Sequence, residues 1–261
     1  MNSTRLTSVL TIALMLSACG GATSGGSGED ANDSVEMSNQ EAALAAATTS
    51  NAEAAQSGED VAESAAKNAN KSFAPADCVT ATREGNTVTY KLDHCTGPFG
   101  YVATTGTIDA VYTVEDENTV TADITGDDLQ VNQATMNLDA TADYEESGED
   151  ATLDVETRST GETQRGKRIE RTGTYTVAWT LGSQCRSLDG NWETSIGRAA
   201  WTTDVTNYEK CKDKCPADGG KVVWTGERRN RSLTVEFDGD TDANWENDRG
   251  RTGTVDLVCG G

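Results

Sequence analysis

The chain has 261 residues, 21 of them basic and 43 acidic, giving a formal net charge of −22. Such a charge repels nucleic acid and anionic lipid headgroups, argues against DNA or RNA as a partner, and favours cationic partners or metal ions. Hydrophobic residues make up 35% of the chain and aromatic residues 5%, so the expected core is modest.

The first elements are an n-region with Arg5, an apolar run from Leu6 to Leu16, and the tetrad Leu16-Ser17-Ala18-Cys19. The run is too short to span a bilayer, which takes roughly 20 apolar residues, and it has the layout of a secretory signal peptide. The tetrad resembles a bacterial lipobox, a resemblance confined to the first 20 or so residues. It implies cleavage after residue 18 and lipidation of Cys19, with several acyl chains making a durable anchor. Gly20, rather than Asp, follows the cysteine. In bacterial lipoproteins that implies the outer membrane, facing the periplasm or the medium. Loss of Arg5 with the signal segment leaves the mature chain at −23.

Residues 19–72 are expected to be a lipidated, disordered tether. Gly20 to Gly28 is rich in Gly, Ser and Ala, and residues 29–72 carry almost no large apolar side chain. Such composition cannot offset its ordering entropy. Gln40 to Ala47 and Glu59 to Lys67 favour helix by their Ala and Glu content but lack an apparent apolar face to dock. As a coil, the stretch from 20 to 72 reaches about 40 Å r.m.s..

From Phe73 onward the pattern changes to alternation. Val120, Ala122 and Ile124 alternate with polar residues, as do Met136, Leu138, Ala140, Ala142 and Tyr144, then Tyr175, Val177, Trp179 and Leu181, and then Leu233, Val235 and Phe237. Period 2 with abundant Thr and Val predicts half-buried strands. Turns are predicted at Glu115-Asp116-Glu117-Asn118, Gly126-Asp127-Asp128 and Asp238-Gly239-Asp240. Residues 73–261 therefore read as one all-β domain, a mainly antiparallel meander or sandwich. Matches at Cys95 and Cys215, at Thr105-Gly106 and Thr225-Gly226, and at the Gly-Asp segments further on suggest duplicated three-strand units, 95–145 and 215–260. Coincidence among Thr- and Gly-rich strands is the plainer alternative.

Apart from Cys19, six cysteines remain: Cys78, Cys95, Cys185, Cys211, Cys215 and Cys259. In an exported protein an even number reads as disulfides, with 15 pairings open. A hairpin turning at Gly85-Asn86 favours Cys78 with Cys95; Cys185 with Cys211 and Cys215 with Cys259 complete the set. Zinc is the rival reading of Cys211 and Cys215, but no second close pair accompanies them and His94 is the sole histidine.

Three sets of residues are candidates for a site. Asp238, Asp240, Asp242, Asn244, Glu246 and Asp248 place an oxygen at every second position, which suits calcium. Ala243 and Arg249 depart from an EF-hand-type loop, and an acidic hairpin end is the plainer reading. Arg158, Arg165, Lys167, Arg168 and Arg171, with Arg228, Arg229 and Arg231, serve either in surface ion pairs or in docking an anionic ligand or glycan. The five tryptophans, Trp179, Trp192, Trp201, Trp224 and Trp245, either fill the core or line a binding face. Alternation points Trp179 and Trp224 to the core, and the polar surroundings of Trp245 predict exposure.

No Gly-x-Ser-x-Gly, catalytic triad or phosphate-binding Gly loop is present. The expectation is a non-enzymatic envelope module, binding or structural, held at the outer membrane by its lipid and offered to a protein or glycan partner, with no cofactor. The alternatives are a carbohydrate-active hydrolase using a carboxylate pair and a calcium-stabilised adhesion module.

Overall fold

The computed structural model describes residues 44–45, 47–49, 57–96, 103–116, 118–131, 134–183, 185–211, 214–227 and 231–257. Cys19 and the whole signal segment lie outside the described residues, as do Arg228, Arg229 and Cys259.

After α1 (Gly58–Ser72) the chain is a succession of strands: β1 (Val79–Glu84), β2 (Thr87–Cys95), β3 (Thr104–Val114), β4 (Thr119–Val131), β5 (Ala134–Ser147), β6 (Asp150–Glu162) and β7 (Arg168–Thr180). Then come β8 (Cys185–Ile196), β9 (Ala199–Cys211), β10 (Lys221–Gly226), β11 (Arg231–Phe237), β12 (Asp242–Asn247) and β13 (Thr252–Asp256). They form one 13-stranded antiparallel sheet in sequence order, a meander and not a sandwich.

Alternation decides the two faces. In β5, Met136, Leu138, Ala140, Ala142 and Tyr144 are buried while Asn137, Asp139, Thr141 and Asp143 are exposed, as a period of two requires. Neighbouring strands keep the same parity, so one face is apolar and the other a carpet of Thr and Asp. Across the outer face Thr121 donates to Asp143 (2.7 Å) and Thr141 to Asp123 (3.0 Å), tying β4 to β5 by reciprocal pairs. Thr89 bonds Asp109 and Thr176 bonds Asp154 in the same way.

Among the described residues, helix covers the inner face at β1 to β3. Leu44, Ala45, Ala47, Thr48 and Thr49 are helical and all 0–1% exposed. At 100° per residue these five positions cover an arc of about 200°, all of it buried. Thr48 and Thr49 bond back to the carbonyls of Leu44 and Ala45, and Tyr112 Oη donates to the Thr48 carbonyl at 2.6 Å. α1 packs on β1, β2 and β3 through Val61, Ala62, Ala65 and Ala69, a single stripe. Ser57 caps it by accepting from the Asp60 amide (3.2 Å), with Glu59 and Asp60 at the positive end of the dipole.

Residues 44–45, 47–49 and 57–72 thus correct the expectation of a disordered tether reaching residue 72; the rest of that stretch lies outside the described residues. Small side chains supply the docking face that seemed to be missing, because they let helix and sheet approach closely. A Cβ on Gly58 would lie 2.3 Å from the Tyr112 carbonyl oxygen.

Two turn and repeat expectations are also corrected. Gly126-Asp127-Asp128 lies inside β4, where the register shifts on both sides and Asp128 takes φ 51°. A bulge absorbs the residues that read as a turn. Thr105-Gly106 lies near the start of β3, whereas Thr225-Gly226 ends β10, so the aligned pairs are not equivalent and the proposed units do not superpose strand for strand. The turn at Asp238-Gly239-Asp240 is present, with Gly239 at φ 84°.

Disulfides join Cys78 to Cys95 and Cys185 to Cys211 as expected. Cys215 is also disulfide-bonded.

Candidate functional site: a polar sector on the inner face

Strand pairing aligns inner-face residues into rows that run across the sheet. One row reads Val88, Ala110, Ile124, Ala140, Thr157, Gly173, Trp192, Thr203, Trp224, Leu233. It is wholly apolar from β2 to β5 and changes at β6. The neighbouring row changes at the same strand: Tyr90, Ile108, Gly126 and Leu138 give way to Ser159, Arg171, Thr194 and Trp201. Along these two rows the inner face is apolar on β2 to β5 and carries polar groups and tryptophans from β6 to β10.

Arg171 is the charged member of this sector and is only 2% exposed. Its Nη1 donates to Thr194 Oγ1 at 2.9 Å, and its guanidinium lies 5.5 Å from the Trp192 ring centroid. Such a cation–π contact contributes about 0.5–2 kcal/mol, more when desolvated. Tyr175 stacks beside the same indole, with centroids 5.3 Å apart and planes 24° apart. A second arginine–tryptophan pair stands on the same hairpin, Arg186 lying 4.7 Å from the ring of Trp179. Partial burial lowers the pKa of Arg186 from its ordinary value.

Five buried side-chain polar atoms lack a hydrogen-bond partner among the described residues, and four fall on one row: Thr157 Oγ1, Trp192 Nε1, Thr203 Oγ1 and Trp224 Nε1. A buried hydroxyl or indole N–H without a partner costs about 1–3 kcal/mol.

In the apolar half, Tyr90 Oη and Tyr112 Oη lie 2.8 Å apart. Burial, as the largest cause, pushes both phenols above their ordinary range, so both stay neutral.

The sequence candidates are distributed differently. Of the basic cluster, Arg158 and Arg168 lie on the outer face, where Arg168 pairs with Glu170 at 2.7 Å, whereas Arg171 points inward. The surface reading fails for Arg171 because Ile169, Gly173, Tyr175, Val177 and Trp179 share its parity. That parity was the available signal, and the charge of the side chain concealed it. Trp179 and Trp192 are core residues; Trp224 is half-buried against the main cluster. Trp245 is half-buried rather than exposed, because it lies across Gly253, where a Cβ would be 2.7 Å from Cζ2.

The six calcium candidates do not form one loop. Asp242, Asn244 and Glu246 belong to β12, whose rise spreads alternate residues by about 6.8 Å. Asp238 and Asp240 sit in the preceding turn and Asp248 in the following one; Asn244 reaches back to Asp238 at 3.0 Å. Among the described residues, the group of three or more His, Cys, Asp or Glu ligand atoms close enough to hold an ion is Cys185, Glu209 and Cys211, and its two sulfurs are bonded to each other.

A groove of about 700 Å³ on the sheet is lined by Asp143, Asp154, Glu156, Asp189 and neighbouring Thr residues. Asp143 and Asp154 accept from Thr121 and Thr176, and Asp189 accepts from the Asn207 amide at 2.7 Å. These carboxylates tie strands together.

Comparison with protein families, with curated proteins and with solved structures finds no match for the chain.

Proposed function

We propose that this chain is a lipid-anchored module of the bacterial outer membrane that binds its partner rather than transforming it. Cysteine usage carries the reading. Cys78, Cys95, Cys185, Cys211 and Cys215 are all disulfide-bonded, the state that belongs to an oxidising compartment outside the cytosol. Such bridging agrees with the export segment ahead of Cys19, whose thiol is the acceptor for lipid. Binding is supported over hydrolysis by the chemistry of the polar sector, which offers donors and aromatic rings, while Asp143, Asp154 and Asp189 in the outer groove already accept hydrogen bonds.

The test is expression in a bacterial host fed labelled palmitate, followed by fractionation. The wild-type chain should carry label and sediment with outer membrane, and Cys19→Ser should be unlabelled and released from it. An unlabelled wild-type chain in the soluble fraction would sink the reading.

A further inference from the structure

We infer that the hairpin turns at one end of the sheet, from β6 to β13, form a basic rim that docks a linear anionic glycan, a polymer with a carboxylate on successive sugar units. The meander sets these turns side by side along one edge. Backbone bonds link each to the next: the Gly197 amide donates to the Arg168 carbonyl (3.0 Å), the Glu227 amide to the Ala200 carbonyl (2.9 Å), and the Asp248 amide to the Ser232 carbonyl (3.0 Å). Arg165 and Lys167 stand between β6 and β7, Arg198 between β8 and β9, and Arg249 and Arg251 between β12 and β13, while Arg231 opens β11. The five arginines of this set are exposed, and the carboxylates beside them in the turns are Glu227 and Asp248. Arg165 and Lys167 have partners. Among the described residues no carboxylate forms an ion pair with Arg198, Arg231, Arg249 or Arg251.

This placement runs against the composition. Acids outnumber bases 43 to 21, and the opposite turns follow that bias: 115–118, 148–149 and 238–241 carry Glu115, Asp116, Glu149, Asp238 and Asp240 and no basic residue. Strands β6 and β7 have 13 residues each, so the two ends lie about 40 Å apart. That is several Debye lengths of about 8 Å, and the acidic end does not cancel the field at the rim. Neighbouring turns are two strand spacings apart, about 10 Å, which makes the rim a line of about 30 Å. A small anion reaches one turn. A polymer reaches several, each further contact being intramolecular. Guanidinium forks suit carboxylates. An open rim offers charge contacts alone, too little to offset the ordering of a flexible acidic peptide, whereas a stiff glycan is already extended. The choice of glycan over nucleic acid rests on the export reading above.

The experiment is a titration of the full mature chain into fluorescently labelled polygalacturonate, read by anisotropy, with galacturonate, dextran, polyglutamate and single-stranded DNA as competitors. Polygalacturonate should bind saturably, at least about ten-fold tighter than any competitor, and weaken about a hundred-fold between about 50 and 200 mM salt. Arg198→Gln, Arg249→Gln and Arg251→Gln together should weaken it at least about ten-fold with the melting temperature unchanged. Lys71→Gln, Lys91→Gln and Lys221→Gln together remove the same charge away from the rim and should leave binding as it was. No saturable binding, or an equal loss in the two triple variants, overturns the rim. Equal competition by galacturonate overturns the linear contact, and equal competition by polyglutamate or DNA overturns the glycan. The wild-type competition and salt series decide even if the arginine variant melts early. None of these outcomes depends on lipidation of Cys19, which the palmitate label tests separately.

Discussion

Trp192 lies across Gly173: a Cβ built at position 173 would fall 2.1 Å from Trp192 Cδ1 and 2.5 Å from Nε1. The indole occupies the space a side chain would need, and the two residues face each other in the β7–β8 register. The tryptophan is itself wedged by Tyr175 and Arg171, so it has no room to yield. Gly173→Ala should therefore destabilise the fold by about 2–4 kcal/mol, beyond the usual range for overpacking because both faces of the ring are engaged. Urea unfolding would measure it. Gly148→Ala, at a hairpin turn with nothing within 4 Å, is the control for added bulk; its φ of 69° brings only a backbone penalty.

The same pair shows what the sequence could and could not reveal. Period 2 through Tyr175, Val177 and Trp179 makes β7 a strand on inspection, and the parity extends without a break to Arg171. Strand existence was legible because each hairpin repeats the same local rule. Which strands face which, and hence that Thr157, Trp192, Thr203 and Trp224 share a row, depends on registers set by bulges such as the shift between Leu188 and Gly190. A one-residue slip there would break the alignment, and no local pattern encodes it. The helical parts were missed for another reason: Ala62, Ala65 and Ala69 form a docking stripe only against a sheet that small residues can approach closely.

That stripe makes a prediction of its own. Ala65 is 1% exposed on the face of α1 that meets the sheet. Ala65→Asp would bury a carboxylate without a partner there, and should lower stability by about 3 kcal/mol or more. Glu63→Asp, on the exposed side of the same helix beside Lys67, should leave it essentially unchanged, because an exposed ion pair is screened by water. Thermal melts of both variants would decide whether α1 belongs to the folded domain. Equal, unchanged melting would return the segment to a tether.

Tyr90 and Tyr112 predict an alkaline limit. Burial raises both phenol pKa values above the unfolded reference, which lies near about 10. A raised folded pKa gives stability that is complete below the unfolded value and is lost as pH climbs from there toward the folded one. The melting temperature should therefore be insensitive to these two groups up to about pH 10 and fall above it. Tyr90→Phe, which removes one ionisable phenol, should make the fall shallower, at some cost at neutral pH from the Tyr112 hydroxyl losing one contact. An identical alkaline slope in wild type and variant would contradict the assignment.

Calcium removal provides the last prediction. A calcium ion takes six to eight oxygens at about 2.3–2.6 Å, so its ligands must lie within about 5 Å of each other. Asp242, Asn244 and Glu246 are held apart by β12, which is hydrogen-bonded on both sides, to β11 and to β13. Gathering them on one ion would require β12 to leave the sheet, exposing Ala243 and the packing of Val235 and Phe237. Asp238, the one candidate drawn to another, is engaged by Asn244 and by the Asp240 amide. Addition of a chelator should therefore leave the melting temperature of the mature chain within about 1 °C of its value in excess calcium, since any ligand of the folded state must raise it by mass action. A larger shift, abolished by Asp238→Asn together with Asp242→Asn, would restore the calcium-stabilised adhesion reading and require β12 to be rebuilt around the ion.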